Sequence, residues 1–222
     1  MSYWKEENER LLLTMSTHAL PIRNLRTEDG YEKWWERVAA WFGERINPQF
    51  RTGFVQVFQD PTEARIYWPG DGFDLGNAAQ HVTLRHECVH ILQARRLGEK
   101  MGPFLFQLFY ILLFPALLTA RAKWEAEAYE ESVLAQLEQL YRAGRYIEAP
   151  QMVARRCDVI EKMFRGRAYF WMDPLFGGEF SDWGRRRAWL MHLASGEEEL
   201  LAGRKVHRRN PLLREVGWKS RI

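Results

Sequence analysis

Apolar residues along the chain first recur at helical spacing. Residues 3–14 and 28–46 read as helices, and in the second Trp34, Trp35, Val38, Trp41 and Phe42 return every three to four positions. A stripe of this kind is expected to pack into a core. Asn47-Pro48 ends the segment, because the residue before a proline is driven out of the helical region. The period then shortens. Phe54-Val55-Gln56-Val57-Phe58-Gln59 is rich in β-branched and aromatic residues and predicts a strand. Asp60-Pro61-Thr62-Glu63 predicts a turn, Ala64-Arg65-Ile66-Tyr67-Trp68 a second strand, and Pro69-Gly70-Asp71-Gly72 the close of the hairpin. Strand 64–68 is expected to offer an edge to which an extended peptide could add.

From about Leu75 a long helix is predicted to run to Leu97, with Gly98 as its C-cap. Met101 to Ala120 follows, nearly all apolar apart from Gln107 and Thr119, and long enough in itself to pass for a membrane span. Further helices are predicted at 121–142, 149–164 (with Pro150 near the first turn), 181–195 and 196–203. No repeat or linker interrupts the pattern. The expectation is a single α+β domain over 1–203, mostly helical, with a small β-hairpin beside the long helix.

Charge alters the picture at one end. Residues 204–222 hold seven Lys/Arg against one acid, a local +6, which leaves −3 on residues 1–203. This basic tail is expected to be solvated; docking on an anionic partner or a larger assembly is the other role open to it. Two cysteines give no disulfide framework. The N-terminus, Met1-Ser2-Tyr3-Trp4-Lys5-Glu6-Glu7, lacks a basic region followed by an apolar core, so no signal peptide and a cytoplasmic location are expected.

The candidate chemistry lies in His86-Glu87-Cys88-Val89-His90. Positions four apart share a helix face, so both imidazoles can reach one ion. Glu87 would stand beside it, placed to take a proton from water held by the metal. A catalytic zinc needs a third protein ligand and an open position. Ten residues after His86 stands Arg96, and no His follows until His192, so the third ligand is sought in the acid cluster Trp124-Glu125-Ala126-Glu127-Ala128-Tyr129-Glu130. The apolar run constrains this choice. If it crossed a membrane once, His90 and Glu125 would lie on opposite sides. With Glu125 as a ligand, residues 101–120 must be buried, bend back near Pro115, or lie on a surface, and burial is expected.

These residues resemble the gluzincin group of zinc metallopeptidases, in which the motif helix is followed by a second helix bearing a glutamate ligand. The resemblance covers roughly residues 54–130. It implies a minimal zincin-like domain with His86, His90 and Glu125 as Zn²⁺ ligands and Glu87 as general base. Ala128 takes the small position, but Tyr129 stands where the family often has an aspartate that orients a ligand histidine, so that support must come from elsewhere. Glu127 is the rival ligand, about 200° around the helix from Glu125, so only one can face the metal. Two imidazoles and a carboxylate suit zinc. Tyr169, within Phe164–Met172, is the candidate to assist the developing oxyanion. The implied activity is peptide-bond hydrolysis of a protein or peptide. The alternative is a zinc-stabilised structural or interaction protein, such as an assembly subunit, on the same scaffold.

Overall fold

A computed structural model of the chain describes residues 2–46, 48–60, 62–101, 114–165, 182–196 and Val216. The order is α1 (Tyr3–His18), β1 (Ile22–Arg26), a 3-10 turn (Thr27–Asp29), α2 (Trp34–Ile46), α3 (Phe50–Gly53), β2 (Gln56–Gln59) and β3 (Ala64–Trp68). Then follow α4 (Ala78–Met101), α5 (Phe114–Arg142), a 3-10 turn (Tyr146–Glu148), α6 (Ala149–Arg165) and α7 (Trp183–Ala194). The class is α+β and mostly helical, as the periodicity predicts. No helix among the described residues is long and apolar enough to cross a membrane. The 102–113 part of the apolar run, the helix expected beyond Gly196 and Tyr169 lie outside the described residues. So does the basic tail apart from Val216, which is buried against α1, the sheet and α4.

Three strands form one mixed sheet in the order β1-β3-β2. β3 runs parallel to β1, with Ile22 opposite Ala64, and antiparallel to β2, with Gln59 opposite Ala64. The strand expected to be an edge is therefore the centre: β3 has a neighbour on each side, and a peptide cannot add to it. All five of its residues are buried because both sheet faces are covered. Ala64, Ile66 and Trp68 pack on α1 and α4, while Tyr67 turns the other way and joins Tyr31 and Ala40.

Helix α2 covers that second face, and it does so inside out. Its inward positions carry Glu36, Ala40 and Gly43, whereas Trp34, Val38, Trp41 and Phe42 are exposed at 74%, 42%, 48% and 46%. The expected apolar stripe is present, but it faces solvent; only Trp35 is partly covered, edge-on to Phe58. A polar anchor explains the orientation. Glu36 accepts from Arg65 Nε at 2.6 Å and from the Tyr67 hydroxyl at 2.8 Å, and it caps its own helix by accepting from Lys33 N at 3.0 Å. Glu36 and the Arg65 side chain are fully buried, so rotating the stripe inward would strand two charges. Small residues complete the inner face: a Cβ at Gly43 would meet the Phe50 ring at 2.6 Å.

Helix α4 starts where Asn77 caps it, its Oδ1 accepting from Ala79 N at 2.9 Å and Gln80 N at 3.2 Å. Gly98 does not stop the helix, which runs on to Met101. Helix α5 lies antiparallel beside α4: Gln139 reaches Ala78, Arg85 reaches Glu131 and Glu138, and Gln93 reaches Trp124. The last turn of α4 and the first turn of α5, which holds Pro115, thus lie at the same end of the pair. Beyond α5, helices α6 and α7 close a second cluster around Val133, Leu137, Val153, Ile160, Phe164 and Trp183.

One buried base makes this fold acid-sensitive. His81, 2% exposed, donates from Nδ1 to Asn8 Oδ1 at 2.7 Å, and Asn8 donates onward to Leu75 O at 2.7 Å. Burial, with the charges of Arg85 and Arg10 adding to it, pushes the pKa of His81 down to about 3 from 6.5. Between those values the unfolded chain binds a proton that the folded chain refuses. The stability is complete above pH 6.5 and falls by about 1.4 kcal/mol per pH unit below it. Urea unfolding at pH 7 and pH 5 should show a loss from this source of about 2 kcal/mol that His81→Gln removes. An equal loss in both proteins would place the acid sensitivity elsewhere.

Candidate metal centre

The side chains expected to hold a metal come together at the middle of the α4/α5 pair. His86 and His90 are four apart on α4 and present Nε2 atoms 3.1 Å from each other. Glu125 Oε2, from α5, lies 3.7 Å from His86 Nε2 and 3.5 Å from His90 Nε2. Ligands about 2.0–2.2 Å from a central zinc stand about 3.3–3.5 Å apart in a tetrahedron, so the three spacings fit such an ion. Glu125 is 6% exposed and His86 8%, while the His90 side chain is 24% exposed and opens the group to solvent.

Hydrogen bonds on the far side of each ring decide what the near side offers. Ser132 Oγ donates to Ala128 O at 3.2 Å, so it can only accept from His86 Nδ1, 3.1 Å away. Gln93 Nε2 donates to Trp124 O at 3.1 Å and to Glu127 Oε2 at 3.0 Å, which turns Gln93 Oε1 to accept from His90 Nδ1 at 2.9 Å. In its neutral form each ring therefore carries its proton on Nδ1 and directs an Nε2 lone pair at the carboxylate. Three electron-pair donors converge on one point. Only a cation or a proton relieves that arrangement.

Electrostatics agree. Burial opposes charge on His90, but the Glu125 carboxylate, helped by Glu87 and Gln93, outweighs it and lifts the pKa to about 9. Burial would raise Glu125, yet the facing imidazoles hold it well below the usual carboxylate range. The point between them favours positive charge. Glu87, the next residue on α4, is 8% exposed. Burial raises its pKa, His86 and His90 oppose the rise, and Glu125 adds to it. It is thus within electrostatic reach of all three converging groups without being one of them.

The two rival acids separate cleanly. Glu127 turns from the converging point to Gln93 and to Arg186 Nη2 at 3.4 Å, so it supports the Gln93 that orients His90. Tyr129 does not replace the expected aspartate: its ring stands edge-on to the His86 ring, centroids 4.7 Å apart. Orientation comes from Ser132 and Gln93, which the sequence reading overlooked. Their spacing was the available signal, since Gln93 is three residues after His90 and Ser132 is seven after Glu125, each on the ligand's face. Ser132→Ala and Gln93→Leu should each weaken zinc binding about 10–100-fold, measured by chelator competition. Unchanged affinity in both would show that the rings need no such support.

Comparison with protein families, curated proteins and solved structures returned no match to this chain.

Proposed function

We propose that this chain is a zinc-dependent metallopeptidase of the gluzincin kind. The observation carrying the reading is the convergence of two imidazole lone pairs and one carboxylate at 3.1–3.7 Å, all within electrostatic reach of Glu87. Zinc bound there would supply a Lewis acid for a substrate carbonyl and lower the pKa of water. The chain's own residues do the rest. His86, His90 and Glu125 would hold the ion, and the partly exposed His90 side chain opens the group to solvent. Glu87 accepts the proton of the attacking water and returns it to the leaving amine. Gln93 and Ser132 hold the rings in register.

The alternative, a closed structural site, normally has four protein ligands and no use for a buried carboxylate beside them. Here the third-ligand count and Glu87 both favour catalysis. The test is digestion of a peptide library by the zinc-loaded chain against the chelated chain. Zinc binding without cleavage above the chelated control would leave a metal site and remove the peptidase.

A further inference from the structure

We infer that the outward face of α2 docks on anionic phospholipid surfaces. The helix reverses the usual arrangement, with Glu36, Ala40 and Gly43 inward and Trp34, Val38, Trp41 and Phe42 outward. Two tryptophans seven residues apart, with Val38 and Phe42 between and beside them, form the kind of apolar stripe that lies at a headgroup boundary. The polar anchor through Arg65 and Tyr67 fixes the stripe outward, so it cannot fold back into the core.

Charge identifies the occupant. Lys33, Arg37 and Arg45 are exposed around the stripe. Arg45 lies over the Trp41 ring at 4.1 Å, and Arg37 donates to the Tyr31 carbonyl at 3.1 Å. Among the described residues no carboxylate pairs with any of these three, and the nearby Glu44 is engaged by Arg51 at 3.4 Å. A cationic rim around an aromatic stripe complements an anionic bilayer surface. A second copy of the chain fits less well. It would bring like charges together, and a 13-residue helix face of about 20 Å by 10 Å offers roughly 200 Å², against about 800 Å² per partner for a stable protein interface. Because α2 and α4 cover opposite faces of the sheet, docking through α2 leaves the metal centre on the far side.

The full chain should co-sediment with vesicles of phosphatidylglycerol and phosphatidylcholine, and more weakly with phosphatidylcholine alone or at high salt. Trp34→Ser/Trp41→Ser should cut the bound fraction at least about tenfold, with unchanged circular dichroism since both rings are exposed. An environment-sensitive dye on Val38→Cys, selective because Cys88 and Cys157 are buried, should shift to the blue on vesicle addition. Three results overturn the proposal: no co-sedimentation, binding that survives the double variant without a dye shift, or self-association that the double variant abolishes with no vesicle binding. The second would assign binding to another surface, such as the basic tail.

Discussion

Glu87→Gln should leave zinc binding near the wild-type level and lower peptide hydrolysis by about 10²–10⁴-fold. The substitution keeps shape and volume, so the buried position beside His86 is neither opened nor overfilled. It removes only the capacity to accept a proton. Because His86, His90 and Glu125 form the converging set, zinc content measured on the purified variant should match the wild type. His86→Ala or Glu125→Ala should instead reduce both metal and activity together. The contrast separates a base from a ligand. Wild-type digestion rates in the glutamine variant would sink the assignment of Glu87, even with the metal in place.

A second large effect is expected two residues earlier. Arg85→Met should destabilise the fold by about 3–5 kcal/mol. Arg85 is 1% exposed and donates from Nε to Glu131 Oε1 at 2.6 Å, while Nη1 and Nη2 both engage Glu138, Nη2 at 3.3 Å. Glu131 and Glu138 are 1% and 4% exposed, so removing the guanidinium leaves two buried carboxylates facing each other across the α4/α5 seam. For a chain of this size that loss lowers Tm by roughly 10 °C. The compensated variant Arg85→Met/Glu131→Leu/Glu138→Leu should recover most of it, because an apolar triad of similar volume avoids the desolvation altogether. Thermal and urea unfolding of the two variants measure both numbers. A single variant as stable as wild type would mean that solvent reaches the triad.

Helix positions, the 64–68 strand and the convergence of His86, His90 and Glu125 were legible because each rests on local spacing. The i, i+4 histidines need only a helix, and a downstream acidic helix supplies the carboxylate. What failed depends on partners distant in sequence. β1 was missed because Ile22-Arg23-Asn24-Leu25-Arg26 has only two apolar residues; its pairing with β3 and the Arg23–Glu32 ion pair, at 2.7 Å, hold it. The centre-versus-edge error over β3 followed directly, since an unrecognised strand occupies its far side. The α2 stripe misled for another reason. Periodicity reports which residues share a face, and burial of Glu36 against Arg65 decides which way that face points. Gly98 stayed inside α4 because a glycine permits a helix end without compelling one.

Helix α5 is 29 residues and about 44 Å long, and it belongs to two apolar clusters at once. Ala128 packs with the sheet and α4, whereas Tyr129, Val133 and Leu137 pack with α6 and α7. Glu125 and Ser132 therefore ride on a shared beam. Neither half of the molecule can melt without tilting it, and a tilt of one ångström would pull the carboxylate off the imidazoles. The geometry of the His86/His90/Glu125 cluster and global integrity are tied to the same rod, so loss of any metal binding there on heating should coincide with loss of the whole structure rather than precede it.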